Sequence, residues 1–459
     1  MPETKRNSAS RVKRAAFALI PAIILLAIGT VVLRGLEGGG LIITEQPDER
    51  IVYAPLHLLE KRRGRWIFGG ETMLHGEIPV KKREDTVRIL LVGGSFVMGF
   101  PYTQGGMPTP GWLGIPHWLH LQLTMRFPDK RFEILNCAAP GFTSETARQV
   151  LEKMLAVQPD IVIVASGNNE GTLAPSKFNR VLHRWVLYRA LKKTLLDAPP
   201  PTERELTMAQ DPDVQAIAEQ YHSNINRMAE LCRNAGVPVV FLTLPINLRN
   251  EGFHEEEALL GGRKRTADAA IERGLALMRE GKFDAAIEVF AESENQPIAL
   301  QYMGKCAEVI GEFGKARAFY RQSCNLQPLG RARPQFNEFL RSLKAPGVGI
   351  IDLQGEIEAR SPDGLPSPKL FVDYCHLIWW ANAMMAETVG QRLIDDGLIE
   401  AAEPINPPPT LDAVVSQYDM APQLDFGSTR ELDPYIHSWE SGKTLPTPEP
   451  ITERERDLF

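Results

Sequence analysis

Ser95 stands in the run Gly93-Gly94-Ser95-Phe96-Val97-Met98-Gly99, and His376 closes the tetrad Asp373-Tyr374-Cys375-His376. A serine hydroxyl becomes a nucleophile when an imidazole takes its proton, and a carboxylate can hold that imidazole in orientation. A serine at a tight strand-to-helix turn projects its hydroxyl into the crevice at which helix N-terminal amides also point. Gly-Gly-Ser turns also cap helices without chemistry, so the serine alone decides nothing. Two further loops bear on the same chemistry. Ala138-Ala139-Pro140-Gly141 offers a glycine that lets backbone approach a ligand closely, and Ser166-Gly167-Asn168-Asn169-Glu170 offers an asparagine amide. Such an amide could donate to a developing oxyanion beside the backbone amides of Ser95 and Gly141, or the two asparagines could simply form a turn.

The elements around these loops have a pattern of their own. Val87-Arg88-Ile89-Leu90-Leu91-Val92 is a short apolar run that stops at Gly93-Gly94, as a buried parallel strand does. Similar runs follow at 132–136, 161–164, 237–244 and 348–353, with helical periodicity between them over Thr143–Leu155 and Ala216–Ala235. Strand alternating with helix predicts an α/β fold, a doubly wound parallel sheet between helical layers. In such sheets ligands bind beyond the carboxyl ends of the strands, which is where all four loops fall.

Taken in order, Ser95, Gly141, Asn169 and Asp373-x-x-His376 resemble the four blocks of the SGNH (GDSL-type) hydrolase superfamily. Gly93-Gly94-Ser95 stands where that family has Gly-Asp-Ser, and Gly167-Asn168-Asn169-Glu170 where it has Gly-x-Asn-Asp. The resemblance covers roughly 86–250 and 345–397, with two departures: Gly94 for aspartate and Glu170 for aspartate. It implies a flavodoxin-like three-layer αβα fold and a serine esterase or acylhydrolase that forms an acyl-enzyme on Ser95. Asp373 and His376 would complete the triad, with the amides of Ser95 and Gly141 and the side chain of Asn169 as the oxyanion hole. It implies no cofactor and no metal. An α/β-hydrolase is the rival, but Val97 interrupts its Gly-x-Ser-x-Gly elbow, and its acid and histidine normally come from separate loops.

Within residues 262–335 the chain repeats itself: Gly274, Gly281, Ala286 and Phe290 recur thirty positions on as Gly304, Gly311, Ala316 and Tyr320. Small residues at a helix crossing followed by an aromatic resemble tetratricopeptide (TPR) hairpins. Two units cannot readily stand alone, so this insertion is expected to pack on the hydrolase domain or on a protein partner. A docking platform and a partnerless lid are both open readings. Cys306 and Cys324 fall on the second unit, as free thiols or as a pair.

At the N-terminus, Ala15 to Leu33 carries no charge and a single proline, Pro21. At ~1.5 Å per residue this nearly matches the ~30 Å hydrocarbon core. Lys5, Arg6, Arg11, Lys13 and Arg14 precede it, which predicts a transmembrane anchor with residues 1–14 cytoplasmic and the remainder extracytoplasmic, on the periplasmic side of a bacterial inner membrane. A cleaved signal peptide is the alternative, but Val31-Val32-Leu33-Arg34 is a poor cleavage site. Residues 34–85 read as a juxtamembrane linker, 86–261 and 336–397 as the two parts of the hydrolase domain, and 398–459 as a proline-rich tail, extended along the surface or partly disordered.

A net charge of −6 over 459 residues gives no support for a nucleic-acid partner. Five scattered cysteines make no disulfide framework, and none are spaced for structural zinc. Trp112 and Trp118 are candidates for a stacking wall against a sugar or acyl chain, and Arg249 for an anionic group, with core packing and a salt bridge as the competing readings. The anchor and its outer face favour an ester-bearing glycan, envelope component or small molecule as substrate. O-acyl transfer would use the same triad, and a non-catalytic TPR-bearing membrane scaffold is the reading outside enzymology.

Overall fold

The structure, a computed structural model, describes residues 27–32, 59–68, 76–102, 113–171, 214–250, 269–327, 331–399 and 409–417. Residues 1–53 together with 173–206 form one compact unit and the rest of the chain a second. Of the first unit only 27–32 are described, and they are helical. The apolar span predicted at 15–33 otherwise lies outside the described residues, among which no helix is long and apolar enough to cross a membrane.

The second unit opens with a three-stranded antiparallel meander, β1 (Leu59–Arg62), β2 (Arg65–Phe68) and β3 (Gly76–Pro79). This ground was expected to be linker. It is sheet because Trp66, Phe68 and Ile78 all reach the apolar cluster on one face of the main sheet. Arg63 and Gly64 turn the first hairpin with φ of 47° and 77°, so the basic run at 61–63 serves a two-residue loop of the kind that matches strand twist.

The main sheet has five parallel strands, β4 (Thr86–Gly93), β5 (Arg131–Asn136), β6 (Ile161–Ala165), β7 (Val239–Leu242) and β8 (Val348–Ile351), in the order β5-β4-β6-β7-β8. Each lies on one of the five apolar runs. β4 is buried along its whole length, with alternate residues serving opposite faces. Ile89 and Leu91 pack into one cluster with α2 (Ile115–Arg126) and α11 (Trp379–Asp395), while Leu90 and Val92 pack into another with α3 (Ser144–Met154) and α4 (Val214–Ala235). The one charge inside β4 is compensated: fully buried Arg88 donates to Glu133 (2.8 Å), to the Pro79 carbonyl (3.2 Å) and to the Val157 carbonyl. Between β4 and β6 the chain order reverses, which makes this the topological switch point of the sheet. The loops after both strands open there.

Between β7 and β8 lie α5 (Ala269–Arg279), α6 (Phe283–Phe290), α7 (Pro297–Val309), α8 (Phe313–Leu326) and α9 (Pro334–Ser342). A Cβ added at Gly274 would come within 2.4 Å of the Phe290 ring, and one at Gly304 within 2.5 Å of the Tyr320 ring, so both repeats make the same small-against-aromatic crossing. The first hairpin shares an apolar cluster with the inner face of α7 (Ile271, Phe290, Ile298, Met303), whereas Ala307, Ala316, Tyr320 and Cys324 of the second join the core of the α/β domain. Cys306 and Cys324 are buried free thiols. After β8 come α10 (Leu353–Arg360), then α11, then α12 (Leu411–Gln417). This last helix falls in the expected extended tail, and its fully buried Val414 joins the core.

Gly304→Ala is expected to destabilise the full chain by about 1–3 kcal/mol, because overpacking against Tyr320 exceeds the ~1 kcal/mol gained in helix propensity. Gly314→Ala, where an added Cβ meets nothing within 4 Å, should be neutral or stabilising. Urea unfolding midpoints of the two variants check the contrast.

Candidate active site

Gly93 ends β4 with φ of 157°, and a Cβ there would lie 2.0 Å from the Ala165 carbonyl oxygen. Only glycine lets the strand end press so closely on β6. The Gly94 amide then donates to that same carbonyl (3.3 Å), and Ser95 begins the one-turn helix α1 (Ser95–Met98). As the first residue of a helix, Ser95 has an amide with no acceptor inside the helix. Ser95 is 7% exposed, at the rim of the switch point.

His376 and Asp373 sit on a tight turn between β8 and α11. The Val372 amide donates to the His376 carbonyl (2.8 Å), and Phe371 bridges Leu377 across the turn. Inside it, Asp373 Oδ1 accepts from the amides of Cys375 (2.8 Å) and His376 (2.7 Å), while Oδ2 lies 2.5 Å from His376 Nδ1. One carboxylate therefore fixes both the backbone of the turn and the orientation of the ring. His376 Nε2 lies 2.7 Å from Ser95 Oγ. An ionised carboxylate can only accept, so the network assigns the proton to Nδ1 and leaves Nε2 to accept from the serine hydroxyl. Burial pushes the Asp373 carboxyl up, but attraction to the His376 ring and the three hydrogen bonds outweigh it and hold the group below the usual aspartate range. The Phe100 ring packs on the His376 ring at 4.6 Å between centroids.

The two asparagines after β6 separate cleanly. Asn168 turns away from the serine, its Oδ1 accepting from the Ala332 amide (2.7 Å). Asn169 Nδ2 donates to the Phe142 carbonyl (3.1 Å), and a Cβ built on Gly94 would lie 2.9 Å from that nitrogen. The Asn169 amide thus packs against the residue preceding Ser95, while Gly141, with φ of 73°, turns the chain one residue before Phe142. Glu170 is buried and holds the start of α3: Oε1 accepts from the Ser144 amide (2.7 Å) and Oε2 from its hydroxyl (2.9 Å). Burial raises the Glu170 carboxyl, and these bonds only partly offset it.

The remaining candidates fall elsewhere. Trp118 is no wall of the crevice: it is fully buried, donates to the Leu113 carbonyl (3.1 Å) and stacks on Trp379, because its position on α2 faces the sheet. Trp112 lies outside the described residues. Arg249 does not offer its charge to the crevice but spends it on Glu308 (2.6 Å). Sequence reasoning missed its neighbour Asn247, which donates to the Asp373 carbonyl (3.0 Å) and whose signal was its place just beyond the end of β7. Asp373, Cys375 and His376 are close enough together to suggest a metal site, but both ring nitrogens of His376 are engaged, Nδ1 with Asp373 and Nε2 with Ser95.

No family model and no curated protein matches the chain. Similar solved structures include the lipase/acylhydrolase from Enterococcus faecalis, at 13% identity and a TM-score of 0.30, covering 68% of this chain and 96% of that one. An acetyl xylan esterase matches at 11% identity and a TM-score of 0.32, over 67% of this chain and 100% of the other. A GDSL-like lipase from Bacteroides thetaiotaomicron VPI-5482 matches at 10% and 0.29, over 67% and 88%. Similarity this low carries no residue's role across, and the chemistry rests on the geometry of the site itself.

Proposed function

We propose that this chain is a serine-dependent ester hydrolase of SGNH type, working through an acyl-enzyme on Ser95. The observation that carries the proposal is the unbroken relay from Asp373 Oδ2 to His376 Nδ1 (2.5 Å) and from Nε2 to Ser95 Oγ (2.7 Å). His376 takes the hydroxyl proton as Ser95 attacks the ester carbonyl, and the ionised Asp373 stabilises the imidazolium that forms. The amides of Ser95 and Gly141 and the side chain of Asn169 are the proposed oxyanion donors, each supplying on the order of 3 kcal/mol when well placed. The tetrahedral intermediate collapses with His376 protonating the departing alcohol. Water, deprotonated by the same ring, then attacks the acyl-enzyme and releases the acid. No cofactor enters any step.

The proposed substrate is an acyl ester on a glycan or other envelope component outside the cytoplasm. Its support is the uncharged run 15–33 behind a basic N-terminus, which reads as an anchor facing the catalytic domain outward. The paired hairpins of the insertion, read as TPR-like, are the proposed seat of a protein partner.

A fluorophosphonate probe is expected to label the wild type and not Ser95→Ala, and Ser95→Ala or His376→Ala should lower kcat for p-nitrophenyl acetate by on the order of 10⁴-fold or more. Equal labelling of wild type and Ser95→Ala would leave the scaffold reading standing instead. Acetate released into water, compared with acetyl recovered on an added glycan, separates hydrolysis from transfer. Asp373→Asn carries a pH signature as well. A carboxyl held below its ordinary value adds stability above that value and loses it as the pH falls through the lowered one. The gap in urea midpoint between wild type and Asp373→Asn should therefore be widest near neutrality and close as the pH drops below about 4. A gap that stays constant with pH would contradict the lowered carboxyl.

A further inference from the structure

The loop leaving β7 is held at nearly every residue. Both main-chain groups of Leu244 bond to the Asn337 side chain, at 2.9 Å each. The Ile246 amide donates to Gln354 (2.7 Å), and the Leu248 carbonyl accepts from fully buried Gln301 of α7 (3.2 Å). Two contacts then run from this loop toward the turn that carries Asp373 and His376. One is the bond from Asn247 to the Asp373 carbonyl. The other belongs to Arg249, whose Nη1 donates to the carbonyls of Leu365 (3.2 Å) and Pro366 (3.0 Å).

Leu365 and Pro366 begin the approach to the Asp373 turn. The amides of Leu365, Leu370 and Phe371 close local turns along it, and Pro366 and Pro368 offer none, so the Leu365 and Pro366 carbonyls are what the loop after β7 can grip. The opposite edge of the Arg249 guanidinium faces the helical insertion: Nε donates to Glu308 Oε1 (2.8 Å), Nη2 lies 2.6 Å from the same oxygen, and Glu308 Oε2 accepts from the Tyr320 hydroxyl (2.9 Å). The side chains of Arg249 and Glu308 are only 25% and 26% exposed. A planar guanidinium that bonds on both edges is a rigid spacer, which a lysine is not.

We infer that Arg249 is a positioning residue for the reaction proposed above: it clamps Leu365 and Pro366 to the helical insertion through Glu308 and so holds the Asp373–His376 turn in register with Ser95. The inference rests on the esterase reading and extends it. The insertion is then part of what sets the catalytic geometry, and not only a module carried beside it. A small displacement of a general base costs rate while leaving binding largely intact, because the substrate meets the serine side of the cleft unchanged.

The test measures kcat and KM for p-nitrophenyl acetate, the rate of fluorophosphonate labelling, and the melting temperature of the full chain. Arg249→Ala is expected to lower kcat and labelling rate about ten- to a hundredfold with KM within about twofold. Arg249→Lys should recover only part of that loss. The reciprocal exchange, Arg249→Glu with Glu308→Arg, restores the ion pair but not the donors to Leu365 and Pro366. It should regain melting temperature over either single reversal while kcat stays low. Wild-type kcat in Arg249→Ala, or full recovery of kcat in the exchange, overturns the inference. Should Arg249→Ala fail to fold, Glu308→Gln takes its place: it keeps the guanidinium but loosens one end of the clamp. A several-fold fall in kcat supports the inference, and an unchanged kcat overturns it. Failure of the wild type to turn over ester or label at Ser95 sinks the esterase reading first, and is told apart by the Ser95→Ala control.

Discussion

The hydrogen bond from Ser95 to His376 spans 281 positions of chain, and it forms only if two loops from distant parts of the sequence end at the same height above the sheet. Nothing local can arrange this. On one side, Gly93 presses β4 against Ala165 and the Gly94 amide bonds to the same carbonyl, so the serine takes its height from β6 as much as from its own strand. On the other, the turn of Asp373 and His376 is tied internally by the carboxylate and externally by the loop after β7. Between them stand the parallel strands, packed on both faces and therefore stiff. A catalytic distance set this way belongs to the whole sheet rather than to either residue.

Burying carboxylates under such a cleft is costly unless their charge is met, and the two buried near the site meet the cost differently. Asp373 has a ring nitrogen and two amides on its oxygens, and the attraction overcomes burial. Glu170 has only hydroxyl and amide donors, with the Arg333 charge a minor influence, and burial wins. The first arrangement keeps a charge where an imidazolium would form. The second is architectural, joining the loop of Asn169 to the start of α3.

Much of this could be read in the residues themselves. Short apolar runs identified the five parallel strands of the main sheet, because strands packed between helical layers are rich in apolar residues and too short to be confused with helix. The order of Ser95, Gly141, Asn169 and Asp373-x-x-His376 pointed to four loops at one sheet edge, and those loops do converge in space. What spacing left open was whatever depended on facing. Trp118 and Arg249 sit at the right places along the chain, yet one turns into the core and the other toward Glu308, and spacing does not report a side chain's direction when several surfaces compete for it. The meander at 59–79 was missed because its strands are four residues each and owe their order to a distant apolar face. Asn247 was passed over because its place after β7 marks the loop, but not the main-chain carbonyl 126 residues away that it meets.

Gly94, the residue before the serine, is set by its neighbours. The amide of Asn169 occupies the volume that any side chain at 94 would begin to fill, with the Phe142 carbonyl oxygen 3.3 Å from the same point. A side chain at 94 would therefore push the asparagine off Phe142. The two positions are neighbours in space, and anything larger than glycine at 94 requires Asn169 to give way.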